Sequence, residues 1–284
     1  SMVAPGTKNS MRTCADCHDA QESHSWLPYI DRHIDALSCE SCHIPKVYAA
    51  AGMQFDWTVI TTESQAQTQL RGAEGKDGIN SLVNGYTPTL LMREGASGEK
   101  TLLPHNLITT WFWVYGTNER PVPLRDLELA YLQGTDYAPE ILAAFDTNSD
   151  DSLDDSELRL DTEEKASLIA DRLSAQGLDN PRIAGETQPY GIHHNVATDK
   201  WATQDCQACH SETSVLTQET QLTTYTPVGA KTEFTAGSNV LFSGEIYTND
   251  AGESYYKPAP AQESLYVFGA SSVGWIDTVG LISF

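Results

Sequence analysis

Six cysteines fall into three pairs of one spacing, and each pair is followed at once by a histidine. Cys14 and Cys17 precede His18, Cys39 and Cys42 precede His43, and Cys206 and Cys209 precede His210. Two intervening residues let one turn of chain present both thiols to one side, with the next imidazole beside them. C-x-x-C-H is the pattern that attaches haem through two thioethers, the histidine becoming the proximal iron ligand. Rival readings explain less. Tandem pairs can hold zinc, and the Cys17-to-Cys39 interval is near a zinc-ribbon spacing. Zinc leaves the histidine after every pair, and the isolated third pair, unaccounted for. Three disulfides in an exported protein leave the same histidines unexplained, and a redox dithiol needs one pair rather than three. Three covalent haem c groups are therefore expected. Haem is attached to such motifs outside the cytoplasm, which implies a periplasmic or extracellular protein. With every thiol consumed, the haems themselves must form part of the core.

Eight histidines leave five beyond the proximal set: His24, His33, His105, His193 and His194. An electron-transfer haem commonly has both axial positions filled by the protein. Met2, Met11, Met53 and Met92 compete, without a placement that favours them. His24 and His33 lie between the first two motifs, and Pro28 breaks any single helix through both. They are expected to serve different haems. His193 and His194 are neighbours whose side chains diverge on a strand or a helix, so at most one serves a given iron; His194 is favoured. His105 is far from every motif, and a lone histidine is more often structural than ligating. Any of the five could instead bond a haem propionate or relay protons.

The segment Asp146–Glu157 matches an EF-hand loop. Asp146, Asn148, Asp150, Asp154 and Glu157 stand at positions 1, 3, 5, 9 and 12, and Ser152 offers its carbonyl at position 7. Leu153 supplies the inward apolar residue. Position 6, normally glycine because the chain turns there with positive φ, is Asp151, a residue that tolerates such a turn better than most. Pro139 suits the first turn of a helix before the loop, with Ile141, Leu142 and Phe145 on one face. A second helix is predicted over Glu163–Gln176, with Leu168, Ile169 and Leu173 on one face. A solvated acidic loop is the alternative. The ligand fit favours one Ca2+ that staples the fold, since no second loop is present to pair with it.

Composition bounds the rest. A chain of 284 residues with 40% hydrophobic and 20% charged residues can bury a core. A formal charge of −22 argues against nucleic acid and anionic membrane surfaces and suits a basic partner, or simply solubility. No stretch reads as a membrane span. The Tyr266–Phe284 run is interrupted by Gly269, Ser271, Ser272, Gly274 and Asp277, though a membrane anchor beyond Phe284 is compatible with it. Ser1-Met2 reads as a cloning remnant with any leader removed. The aromatics of Thr110–Tyr115 are expected in the core rather than on a haem face. From about residue 216 the chain turns rich in Thr, Val, Tyr and Phe, and Asn249–Gly252 between Val240–Tyr247 and Ser254–Tyr256 reads as a β-hairpin. The expected class is α+β. It comprises a haem-dominated N-terminal part of short helices and loops, a central EF-hand-like helix–loop–helix, and an antiparallel β C-terminal region. Two parts are expected: 1–215, carrying the haems with the calcium insert at 138–180, and a small β-rich 216–284.

Leu37–Pro45 around the second motif, Asp56-Trp57-Thr58, and His193–Val196 leading to Cys206 resemble segments of the octahaem tetrathionate reductase-like group. They also resemble multihaem cytochromes that sit beside a membrane cytochrome b. The resemblance covers about a third of the chain and implies a respiratory relay, exchanging electrons with a redox partner such as a membrane cytochrome b or a quinol-oxidising complex. Eight haems exceed three, so no catalytic residue carries over. Three functions compete. A carrier needs every iron closed. A reductase of a nitrogen or sulfur oxyanion needs one open iron. A structural or filament-forming cytochrome needs stacked protomers. The absence of a C-x-x-C-K motif, the acidic charge and the ample histidine supply favour the carrier over an enzyme.

Overall fold

The computed structural model describes residues 13–74, 82–95, 98–235, 239–259, 267 and 269–270. Ser1-Met2, Met11 and the Tyr266–Phe284 run, apart from Val267, Gly269 and Ala270, lie outside the described residues. The strands of interest are β1 (Ala51–Asp56), β2 (Gln67–Arg71), β3 (Thr89–Glu94), β4 (Lys100–Tyr115) and β5 (Arg182–Gly191). Beyond residue 216 follow β6 (Thr220–Thr223), β7 (Thr232–Phe234), β8 (Val240–Leu241), β9 (Gly244–Thr248) and β10 (Ser254–Pro258).

Strand β4 organises the molecule. Its run of apolar residues on both faces suits a strand covered on both sides: Leu102, Leu103, Leu107, Trp111, Trp113 and Val114 are all buried. β5 pairs antiparallel with it from residue 105 to 114. On its other edge, β3 pairs antiparallel with its first part and β1 parallel with its later part. The sheet runs β7-β5-β4-β1-β2, with β8 added to β3. The fold is α+β.

The C-terminal stretch divides between a small antiparallel sheet of its own and the main sheet. The hairpin at Asn249–Gly252 closes between β9 and β10, and β6 completes a three-stranded sheet with them. The hairpin strand begins at Gly244 rather than Val240, because Val240 and Leu241 pair with Met92 and Arg93 of β3. β7 pairs with β5. Two of the five late strands thus satisfy their backbone groups on the main sheet, where unpaired edges would otherwise remain.

The helices are α1 (Ala20–Ser23), α2 (Ile30–Ala36), α3 (Cys39–His43), α4 (Leu124–Tyr131), α5 (Pro139–Phe145) and α6 (Glu163–Ala175). Pro139 occupies the first turn of α5, and Thr162 caps α6 by accepting from the Lys165 N–H at 3.3 Å. Ile141, Phe145, Ile169 and Leu173 are fully buried in one cluster with Trp113 and Tyr131. Each such burial contributes roughly 1.5–3 kcal/mol. Trp113 Nε1 and Tyr131 Oη both donate to the Thr58 carbonyl, at 2.9 and 2.8 Å. The tryptophans of β4 are therefore core residues. Among the described residues no helix is long and apolar enough to cross a membrane.

Candidate functional site

The three C-x-x-C-H segments share one backbone form, a single tight turn. Cys14–Asp16 and Cys206–Ala208 are 3-10 turns, and Cys39–His43 is the short helix α3. The His18 N–H closes on the Cys14 carbonyl at 3.0 Å and the His210 N–H on the Cys206 carbonyl at 2.8 Å. No thiol forms a disulfide. The turns also lie in succession. The Cys14 thiol is within hydrogen-bonding reach of Cys39. Burial, and then the neighbouring Cys42, pushes the Cys209 thiol up to about 11. The second motif therefore neighbours both of the others.

Long-range contacts seat each turn. The Ser38 N–H and Ser41 Oγ both donate to the Leu102 carbonyl of β4, at 2.9 and 2.7 Å. The Val215 N–H donates to the Ala208 carbonyl, and Val215, Leu216 and Cys209 pack with Leu90, Met92 and Leu102. Residues 197–203 lie along the second motif: the Ala197 and Thr203 N–H groups donate to the carbonyls of His43 and Cys42, at 2.7 and 2.9 Å.

The α1–α2 segment delivers two histidines to two different motifs. The His24 ring faces that of His43 with centroids 5.8 Å apart, and the His33 ring faces that of His210 at 6.1 Å. Two imidazoles sharing one metal, each about 2 Å from it through nitrogen, put their ring centres roughly 6 Å apart. Both separations match. The Nδ1 atoms are committed to backbone carbonyls: His24 to Ala20 at 3.0 Å, His33 to Tyr29 at 3.2 Å and His43 to Ala197 at 2.8 Å. That arrangement fixes the tautomer, with the proton on Nδ1, and leaves Nε2 as the nitrogen able to accept a metal. Trp26, Tyr29, Tyr48, Val196 and Trp201, all near these histidines in sequence, are exposed. Such a collection of bare apolar side chains suits a large flat apolar group.

The other candidates go elsewhere. Among the described residues no ring contact joins His105, His193 or His194 to His18 or His43. His105 is buried within β4 and bonds the Leu103 carbonyl at 2.9 Å; burial pushes its imidazole down to about 4, so it stays neutral. His193 Nδ1 lies 3.0 Å from Glu40 Oε1. Burial opposes ionisation of Glu40, but bonds from His193, its own backbone and Ser38 hold its carboxyl below the usual range. His194, favoured from sequence, is exposed. The Glu40–His193 and His43–Ala197 contacts span more than 150 residues. No local signal announces them.

The calcium-type loop has its own geometry. Carboxylate oxygens of Asp146, Asp150 and Glu157 lie within 4.8 Å of one another. No other group of three or more His, Cys, Asp or Glu converges so closely among the described residues, so the cysteines do not form a zinc-like cluster. Asp151 takes φ 59°, the turn that position 6 demands. Glu157 is buried, and its Oε1 accepts from the N–H groups of Thr147 and Asn148 at 2.9 and 3.1 Å. The Asp154 N–H foremost, then those of Thr147 and Asn148 against the effect of burial, hold its carboxyl below the usual range. Asp154 turns aside: its Oδ1 accepts from the N–H groups of Ser156 and Glu157. The Ser152 N–H donates to Asp150 Oδ1 at 2.9 Å, and Asn148 lies within the same loop. The exit also departs from a helix–loop–helix, because α6 starts only at Glu163. Leu158 and Leu160 enter the core between loop and helix, which a continuous helix would not permit at that spacing.

No protein-family model matches this chain, and neither does any curated protein. Among solved structures, the octahaem cytochrome c from Shewanella oneidensis is similar at a TM-score of 0.40 and 14% identity, over 70% of this chain and 48% of that one. The chain thus spans about half the length of that cytochrome.

Proposed function

We propose that this chain is a trihaem c-type cytochrome that transfers electrons outside the cytoplasm. The observation that carries the reading is the facing of His24 on His43 and of His33 on His210 at separations suited to one iron between each pair. Cys14 and Cys17, Cys39 and Cys42, and Cys206 and Cys209 would form the thioethers, and His18, His43 and His210 would be the proximal ligands. A bound haem supplies one-electron chemistry. The protein's part is to close the second and third sites to outside ligands with His24 and His33. It also holds each imidazole by a backbone carbonyl and stacks the three turns in sequence. The haem-carrying unit is 1–215; among the described residues after it, β7 and β8 extend the main sheet.

A calcium ion held by Asp146, Asp150 and Glu157, with Asn148, Ser152 and Asp154 completing the loop, would pin α5 to the start of α6. The acidic surface suits a basic docking face on the redox partner, and a membrane cytochrome b or quinol-oxidising complex is the partner class in view. Carbon monoxide added to the reduced protein, beside low-temperature EPR of the ferric protein, tests the reading. Low-spin signals throughout and no carbon monoxide uptake sustain the carrier. A high-spin, carbon monoxide-binding haem moves the reading to a reductase with an open iron. Pyridine haemochrome analysis giving fewer than three haems per chain would sink the trihaem reading itself.

A further inference from the structure

The end of β2 carries a cation with too few partners. Arg71 donates to the carbonyls of Leu107 and Gln221 through Nη2 alone, at 3.2 and 2.8 Å. Its Nε is out of contact with solvent and has no hydrogen-bond partner. Among the described residues no carboxylate lies within ion-pair distance of the guanidinium. Tyr86 offers only its ring, 5.9 Å from Cζ. In a chain of net charge −22, leaving one partly buried guanidinium without a counter-ion is costly and unusual.

Arg71 lines a cavity of ≈ 160 Å³. The other uncharged polar walls are Thr87, Thr89, Gln218, Thr220 and Gln221. Thr89 Oγ1 and Thr220 Oγ1 share one hydrogen bond at 2.7 Å, so one of the two hydroxyl protons remains to donate elsewhere. Glu219 is the acidic residue in the wall, and it is engaged outside: its Oε2 accepts from Tyr247 Oη at 2.6 Å and its Oε1 lies 3.8 Å from Lys257 Nζ. Val215, in the wall, donates its N–H to the Ala208 carbonyl of the third motif at 3.0 Å and shares an apolar cluster with Cys209. A water molecule occupies about 30 Å³ of liquid, so a carboxylate or a small tetrahedral oxyanion fits.

We propose that the Arg71 cavity is an anion site that takes a carboxylate or small oxyanion on the guanidinium Nη1, which donates to neither carbonyl, and on the Thr89–Thr220 hydroxyl pair. A permanently charged guanidinium makes a charge-assisted bond to such a ligand, roughly twice as strong as a neutral one. Two sources share this chemistry: a free oxyanion, or a propionate of the haem at the third motif, the latter resting on the haem reading above.

Calorimetric titration of the holoprotein with sodium sulfate, against sodium chloride at matched ionic strength, tests the free source. A redox titration of the haems tests the propionate source. Both are run on the native protein, Arg71→Gln and Arg71→Lys. Saturable sulfate binding that weakens about tenfold or more in Arg71→Gln, and less in Arg71→Lys, establishes a free oxyanion site. No sulfate binding, together with one haem midpoint that falls in Arg71→Gln and is retained in Arg71→Lys, establishes the propionate source. Sulfate-silent native protein whose haem potentials are unmoved by either variant overturns the proposal. Should Arg71→Gln fail to fold, the native titration and Arg71→Lys decide alone. Haem content is read separately by pyridine haemochrome, so a full complement of three haems with neither effect removes the anion site and leaves the cytochrome reading intact.

Discussion

A backbone carbonyl stands behind each of His24, His33 and His43. Each bond holds Nδ1 and turns Nε2 outward, so the ligands are oriented before any metal arrives. His24→Ala and His33→Ala are each expected to expose one iron. The reduced variants should take up about one equivalent of carbon monoxide beyond the native protein, whereas His193→Ala and His194→Ala should not. Carbon monoxide difference spectra measure this, and an unchanged His33→Ala spectrum would remove His33 from the ligand set. Asp56 shows the opposite use of burial. It is fully buried, its Oδ1 accepts from the Thr58 N–H at 2.8 Å, and its Oδ2 has no partner. Burial raises the carboxyl from 3.8 to about 7, with bonds from Thr58 and the charge of Arg159 opposing. The folded chain therefore keeps a proton that the unfolded chain releases, and stability falls as pH rises from near 3.8 to about 7. Asp56→Asn keeps an oxygen for Thr58 and has no proton to lose. Its advantage over the native protein in urea unfolding should be larger at pH 8 than at pH 5, and equal gains at both would reject the assignment.

At the scale of elements, the segment from α5 to α6 is held at both ends. Phe145 and Ile169 are buried in one cluster, and Lys165 donates to the Glu157 carbonyl at 3.1 Å and pairs with Asp161 at 2.9 Å. The loop between carries three converging carboxylates that repel one another when no cation is shared. A calcium ion at a hundred times its dissociation constant would add about 2.7 kcal/mol to folding. Chelation is expected to lower the melting temperature by several degrees, and Glu157→Gln should abolish most of that dependence. Unchanged melting on chelation, with no calcium in metal analysis, rules out the staple.

For the molecule as a whole, the second motif adjoins the first at Cys14 and Cys39 and has Cys42 near Cys209 of the third. The net charge of −22 gives the chain as a whole a negative field. Association with a basic electron donor should be fast at low ionic strength and slow severalfold as salt approaches physiological levels, where the screening length is about 8 Å. Stopped-flow reduction over a salt series measures this. A rate that rises with salt would point to an acidic partner instead.

Chemistry that is local in the chain was legible without coordinates. One turn is enough to place two thiols and an imidazole, so the three attachment motifs could be read from spacing alone. The same holds for the loop, where Asp151 adopts the positive φ expected of position 6. It holds also for α5 and α6, whose apolar spacing and caps lie within one turn of the residues they govern. Pro28 was enough to separate His24 from His33, because a proline cannot continue a helix. Pairing across space was not legible. Which motif each of those histidines faces depends on how α1 and α2 fold back over β4. Whether His194 or His105 joins them depends on the course of β5, and Arg71 is stranded only because Leu107 and Gln221 meet it from distant strands. These contacts join residues tens to more than a hundred positions apart, where spacing carries no information, and only the closed sheet decides them.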